Sequence, residues 1–331
     1  MNQPKVSIII PVYNAEAYIE RCVRTLFGQT LNDLEYIFID DCSPDRSIAV
    51  MEEVLSRYPE RQAQVKIIRH AENKGVSQSR QDGLDAATGE YLIHCDPDDW
   101  VELDMYESFY NEAVKTNADM VICDFRCSKN KYKSIQRPKE LTNISVLECI
   151  TSREKPVIHG ACWNKLLRTN IAQKVQFPKD VSYCEDVTYW CNVLRYDIKI
   201  SYLGRSLYIY DYRPGTLCSV KSKGALISDN RHIELIESMK TGNDLRYDAC
   251  LNSYITTIIC YRAFLSGLFS NREFVDYYAK YKPYFQYCIK NRVRFCLTLS
   301  ANGFAYQALI IYKVLTVIYG LIIQIFAKKQ N

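Results

Sequence analysis

Asp96-Pro97-Asp98-Asp99 packs three carboxylates into four residues. Such crowding costs free energy through mutual repulsion unless a cation neutralises it. Oxygen-only ligands suit Mg²⁺ or Mn²⁺, which keep open positions for phosphate oxygens. The same residues also read as an acidic turn ahead of a helix near Leu103, since Asp and Pro are common turn formers. A second cluster, Asp40-Asp41-Cys42-Ser43-Pro44-Asp45, offers a carboxylate that can accept a hydrogen bond from a uracil or ribose group. Ser43 or Asp45 can equally cap the following helix. In Asn73-Lys74-Gly75 through Arg80, the glycine permits a tight turn, and Lys74 and Arg80 bring positive charge towards a diphosphate or simply line the surface. Glu185-Asp186 lies far along the chain from all of these. One of the pair can act as a base that deprotonates a hydroxyl from the face opposite a leaving group. Both acids also favour a helix N-terminus on electrostatic grounds alone. Trp100 and Trp163 can stack on sugar rings or pack as core aromatics. His159 reads as a structural or acceptor-side polar group.

These groups need elements to position them, and the hydrophobic pattern supplies candidates. Lys5–Val12, Leu34–Ile39, Val65–Ile68, Tyr91–Cys95 and Met120–Asp124 are short apolar runs that predict buried strands. Between them, Ala15–Phe27, Asp45–Tyr58, Val76–Ala87 and Leu103–Thr116 predict helices, the first with Asn14 as its cap. Strands alternating with helices imply a mostly parallel, doubly wound α/β sheet. Right-handed crossovers place the strand C-termini along one edge, where ligands bind near a switch in strand order. The polar clusters at 40–41, 70–74 and 96–99 fall at those ends. Beyond residue 126 the alternation weakens: 129–139 reads as an exposed loop, 185–194 as a helix and 199–212 as a strand. From about 225 the pattern is helical and rich in aromatic residues.

The chain has 331 residues and a formal charge of +4. Residues 240–331 hold twelve Lys/Arg and four Asp/Glu, a local charge of +8. A basic, aromatic tail points to an anionic membrane surface more than to a solvated linker, and no nucleic-acid partner is expected. The apolar window 309–326 is interrupted by Lys313 and Gln324 and followed by Lys328-Lys329. It suits a helix lying in the membrane interface, an oligomer or core helix, or a span, in that order. Met1 to Lys5 leads straight into the first strand without a secretory signal, and the 14 cysteines include no CxxC pair. Buried thiols in a reducing cytoplasm follow, rather than disulfides or a zinc site. Dinucleotide, P-loop and α/β-hydrolase signatures are missing from the sequence.

Taken in order, Val6-Ser7-Ile8-Ile9-Ile10-Pro11-Val12-Tyr13-Asn14, Asp40 to Asp45, Asn73 to Arg80, Gly89-Glu90-Tyr91, Asp96 to Asp99 and Glu185-Asp186 resemble glycosyltransferase family 2. The resemblance implies a GT-A fold, Rossmann-like and mostly parallel, followed by a helical C-terminal region. It implies a metal-dependent, inverting transfer of sugar from a nucleotide-sugar, a UDP-sugar above all, to a hydroxyl of a saccharide or lipid-linked saccharide. Pro11, Tyr13 and Asp41 would hold the uracil or ribose side, with Asn73 and Arg80 near the nucleotide or diphosphate. Asp96 and Asp98 would form the DxD pair, with Asp99 beside them as a third ligand to Mg²⁺ or Mn²⁺. Asp186 would be the general base. Trp163-Asn164-Lys165-Leu166 and Tyr208 to Arg213 are similar to bacterial transferases that build capsule, exopolysaccharide or lipopolysaccharide.

The sequence departs from the family in three places. Cys42 stands where glycine is usual, Ser79-Arg80-Gln81 replaces Ala-Arg-Asn, and no QxxRW occurs, which favours single addition over processive synthesis. The expected organisation is a GT-A domain at 1–215, divided into a nucleotide-sugar half at 1–125 and an acceptor-side half at 126–215. A helical, basic region at 216–331 would hold the enzyme on the cytoplasmic face of a bacterial membrane. The rival readings are a non-catalytic nucleotide-sugar-binding protein and a sugar nucleotidyltransferase.

Overall fold

The computed structural model describes residues 3–128, 133–134, 140–151, 158–179, 181, 184–212, 232–259, 271–287 and 308. The apolar window 309–326, most of the loop 129–139 and Arg213 lie outside the described residues. The chain divides into two compact units, one of Met1–Ile150 with Pro156–Thr216 and one of Thr151–Lys155 with Leu217–Asn331.

The first unit opens with β1 (Val6–Val12), α1 (Glu16–Phe27), β2 (Leu34–Asp40), α2 (Ser47–Leu55), β3 (Val65–Arg69), α3 (Val76–Ala86) and β4 (Tyr91–His94). It continues with β5 (Trp100–Val101), α4 (Met105–Thr116), β6 (Met120–Cys127), β7 (Lys133–Ser134) and α5 (Asn143–Thr151). The last elements are β8 (Lys165–Arg168), α6 (Thr169–Ala172), α7 (Glu185–Val193) and β9 (Ile200–Tyr210). The strands described form one sheet in the order β3-β2-β1-β4-β8-β6-β9-β5, with β7 beside β6.

The β-branched run of β1 is buried at every position, as a strand covered on both faces requires. One face carries Val6, Ile8 and Ile10 into a core with Tyr36 and Phe38 of β2. Onto that face α1 lays Ile19, Cys22, Val23, Leu26 and Phe27, a stripe at helical spacing. The opposite face takes α3, whose Gly83 lies so near β1 that an added Cβ would sit 2.3 Å from Ile9 Cγ2. Helices thus cover both faces, as the alternation of elements implies.

β1 pairs in parallel with β2 along its length but with β4 only from Val6 to Ile9. Beyond Ile9 the two strands part, at the point where strand order reverses. Pro11 sits just past this parting and pairs on the β2 side with Ile39, so its missing N–H removes no bond to β4.

The mostly parallel sheet agrees with the sequence-based expectation, and three local features add to it or depart from it. Within the sheet, β8 inserts between β4 and β6 and runs antiparallel to both. Its four residues are too short and too buried to betray a direction by periodicity. The first helix is not capped by Asn14, which adopts a left-handed φ of 51°. Its cap comes from the loop after β2: Ser43 Oγ accepts from Asn14 N, Ser47 Oγ from Ala15 N and Asp45 Oδ2 from Glu16 N. Glu16 Oε2 returns the bond to Arg46 N at the start of α2, so the two helix ends satisfy each other's orphan donors. Finally, Cys42 adopts φ 56°, so the turn after Asp41 keeps a left-handed residue without the usual glycine.

In the second unit, a helix at 232–238 precedes helices Leu245–Ile258 and Asn271–Tyr278 and a 3₁₀ segment Ala279–Tyr287. Asp244 caps Leu245–Ile258 by accepting from Arg246 N and Tyr247 N. Tyr284 draws this unit's helices together, donating to Glu237 Oε1 and accepting from Lys240 Nζ, while its carbonyl accepts from Thr256. Among the described residues, no helix is long and apolar enough to cross a membrane.

Candidate active site

The clusters after β1, β2, β3 and β4 meet at the C-terminal edge of the sheet, around the parting of β1 and β4. Asp41 is 3% exposed. Its Oδ1 accepts from Lys74 N at 2.7 Å and its Oδ2 from Gly75 N at 2.9 Å. Gly75 delivers its N–H from a φ of 84°, a conformation that side-chain-bearing residues adopt only at a cost. Tyr13 stands 51% exposed at the rim. Asn73 is exposed as well, so these two expected donor contacts flank the site without being held in it.

Arg80 is the hinge of the charge arrangement. It is 5% exposed and reaches Asp96 Oδ1 at 3.1 Å and Glu185 Oε1 at 3.3 Å. Burial opposes its charge, but Asp96 and Glu185 outweigh burial and raise its pKa. Asp96 of the DxD segment and Glu185, far apart in the chain, therefore share one guanidinium. Two further bonds hold α3 against the chain that leads to α7: Ser77 Oγ donates to Pro178 O and Gln81 Oε1 accepts from Phe177 N.

Asp186 is partly exposed in the first turn of α7, behind Cys184, whose φ of 59° turns the chain into the helix. Burial of its carboxyl, with the neighbouring charge of Glu185, raises its pKa to about 7. Arg80, the Val187 N–H and Lys165 pull the other way. A group poised near neutrality suits proton abstraction.

Asp99 does not join Asp96 and Asp98 in facing outward. It is fully buried, with Oδ2 accepting from Tyr208 OH at 2.6 Å and Oδ1 from Asp211 N at 2.7 Å. Burial, then the charges of Asp98 and Asp96, raise its pKa well above the usual carboxylate range. With both oxygens engaged, it braces the segment, and the expectation of a third metal ligand is not carried forward. Asp96 and Asp98 remain, as hard oxygen donors. Among the described residues, no three His, Cys, Asp or Glu side chains group closely enough to enclose a cation. Two carboxylates beside a buried guanidinium fit Mg²⁺ or Mn²⁺ held jointly with phosphate oxygens.

The aromatic residues pack rather than wait for a sugar. Trp163 stacks on Tyr208 with centroids 4.2 Å apart and on His159 at 5.4 Å. Trp100 is covered by the Arg21 guanidinium at 3.5 Å. Lys165 is 1% exposed. Its Nζ donates to His159 O, Ala161 O and Asn164 Oδ1 at 2.5–2.8 Å, closing the 159–165 loop on itself. Burial pushes its pKa down to about 8.

Sequence reasoning did not assign three contributors. Tyr208 ties β9 to Asp99 and also accepts from Asp96 N. Arg21 reaches across to Asp98 O and Asp211. His70 contacts Asp41 and Asp82. His70 lay in the polar cluster 70–74, but nothing in the spacing of Asp82 or Arg21 marks either residue.

A Rossmann-like sheet with a DxD turn at its switch point and a second carboxylate pair brought in by a helix defines a glycosyltransferase of the GT-A class. Residues 7–176 match Glycosyl transferase family 2, and the chain belongs to that family. It is 31% identical over 230 residues to the uncharacterized glycosyltransferase EpsJ of Bacillus subtilis. That match covers 67% of this chain and 65% of EpsJ, less than two thirds of the relative's own length. Its fold is similar to that of S. aureus TarS 1-349 in complex with UDP-GlcNAc, with a TM-score of 0.72 at 16% identity over 93% of this chain and 90% of that one. It is also similar to the mannosyltransferase PcManGT of Pyrobaculum calidifontis in complex with GDP-Man and Mn²⁺. There the TM-score is 0.54 at 15% identity, over 95% of this chain and 87% of that one.

Proposed function

We propose that this glycosyltransferase moves a sugar, with inversion, from a UDP-sugar to an acceptor hydroxyl in the assembly of a bacterial surface polysaccharide. The observation that carries the reading is the shared guanidinium: Arg80 links Asp96 to Glu185, the sequence neighbour of Asp186. The TarS complexes with UDP and UDP-GlcNAc support the choice of donor.

In this reading Asp41 takes the nucleobase, with Pro11 and Tyr13 beside it and Asn73 at the rim. Arg80 Nη1, buried and without a hydrogen-bond partner among the described residues, is available to a phosphate oxygen. Asp96 and Asp98 would hold Mg²⁺ or Mn²⁺, which supplies neutralisation of the charge developing on the diphosphate. The Mn²⁺ complex of PcManGT supports that assignment. Asp186 removes the proton from the acceptor hydroxyl as its oxygen attacks the anomeric carbon from the side opposite the diphosphate. Asp99, through Tyr208, keeps the acidic turn in place.

A lipid-linked saccharide acceptor and a peripheral position on the cytoplasmic face fit the +8 charge of residues 240–331. Flotation with anionic liposomes tests this location: loss of binding on removal of 303–331 supports it, and equal flotation of both forms counts against it. For the reaction itself, a hydrolysis screen against UDP- and GDP-sugars with Mn²⁺ is expected to release UDP from a small subset of donors. Release of pyrophosphate would contradict the reading.

A further inference from the structure

Asp41 has more partners than a carboxylate needs to stay in place. Besides Lys74 N, its Oδ1 faces His70 Nδ1 at 2.7 Å. Oδ2 accepts from Gly75 N. An ionised carboxylate offers about four acceptor directions. Both on Oδ1 are filled by this chain, and one on Oδ2 is filled. Among the described residues, a single direction, on Oδ2, is left.

His70 is itself fixed from behind. Its Nε2 lies 2.7 Å from Asp82 Oδ2, and the side chain is 2% exposed. Gln78 Nε2 donates to the other oxygen of Asp82 at 2.7 Å. A carboxylate oxygen thus stands at each ring nitrogen. Asp82 therefore holds the imidazole so that Nδ1 closes the second direction on Asp41 Oδ1.

The consequence is selective. Uracil offers one N–H, at N3, between two carbonyls. Guanine offers two adjacent donors, N1–H and the exocyclic amine, which engage a carboxylate through both oxygens. An Asp41 with Oδ1 closed can serve the first base and not the second. We propose that His70, held by Asp82, is a positioning residue that restricts Asp41 to a single N–H and so selects uridine over guanosine donors. This rests on the assignment of Asp41 to the nucleobase made above.

Calorimetry of UDP and GDP with the full chain, alongside kcat and KM for the UDP-sugar, tests the proposal. The unmodified protein should prefer UDP. His70→Phe keeps a flat ring without the nitrogen that closes Oδ1, so a second base N–H can reach that oxygen, and a bond gained to a charged group is worth about tenfold in affinity or more. The UDP/GDP affinity ratio should fall by about that factor, through tighter GDP binding, and any loss with the UDP-sugar should appear in KM rather than kcat. His70→Asn, which keeps an N–H near the Nδ1 position, should restore most of the preference. Asp82→Leu, at a position with a quarter of its side chain exposed, should move the UDP/GDP ratio in the same direction by less, and it serves as the test if His70→Phe does not fold. An unchanged UDP/GDP ratio in folded His70→Phe, or in Asp82→Leu where that variant stands in, overturns the proposal. Asp41→Ala separates the two levels: if it leaves UDP affinity intact, the nucleobase assignment itself fails. If Asp41→Ala abolishes UDP binding while the His70 variants keep the ratio, only the role of His70 is lost.

Discussion

The proposed donor and acceptor sides of the site are built differently. On the donor side, Asp41 and the DxD segment follow parallel strands directly, and their oxygens meet backbone N–H groups or neighbours in the same sheet edge. On the acceptor side, Asp186 arrives on a helix placed by packing: Phe177 stacks on Tyr189 with centroids 4.1 Å apart, and Gly160 lies so close that an added Cβ would sit 2.5 Å from Val187 Cγ2. The donor side is thus held mainly by hydrogen bonds, whereas the acceptor side is held mainly by shape and leaves a carboxyl poised near neutrality. A binding surface gains from fixed acceptors, and a base gains from desolvation.

If that contrast is right, damage on each side has a different signature. The largest effect is expected for Asp186→Asn, which should lower kcat by about 10²–10⁴-fold while donor affinity by calorimetry stays within about twofold. Asp98→Ala should weaken Mn²⁺-dependent UDP binding by about tenfold or more, the scale of a lost charged contact. Unchanged affinity with Mn²⁺ would remove Asp98 from the metal. Arg80→Leu leaves Asp96 and Glu185 as neighbouring acids without their shared cation. Chemical denaturation should show a loss of about 3 kcal/mol, and no loss would mean that the two sides are not joined through Arg80. Tyr208→Phe should be mildest, costing about 1 kcal/mol of stability and a few-fold in kcat, since Asp99 keeps its bond from Asp211 N.

The same contrast explains what the sequence made legible. Parallel strands alternating with helices announce themselves through periodicity, and the rule that ligands gather at strand C-termini then marks the ends that carry Asp41 and Asp96. Helix α1 was legible because Ile19, Cys22, Val23, Leu26 and Phe27 repeat with the helical period. Its cap was not, because the capping oxygens belong to Ser43, Asp45 and Ser47 on another loop. Strand β8 and the bond from Tyr208 to Asp99, 109 residues apart, arise from long-range packing that leaves no local pattern. For the same reason Asp99 read as one acid among three, although burial sets it apart from Asp96 and Asp98. Trp163 read equally as a sugar platform or a core residue, and only the stack with Tyr208 decides for packing.

The central claim, that Asp186 is the base and works from a pKa near 7, is tested most directly by the pH dependence of kcat/KM for transfer to the acceptor. A base must be unprotonated to act, so kcat/KM should rise with pH through about 7 and level above it. The residual transfer of Asp186→Asn should show no such rise. A variant that keeps both the ascending limb and normal turnover would show that another group takes the proton.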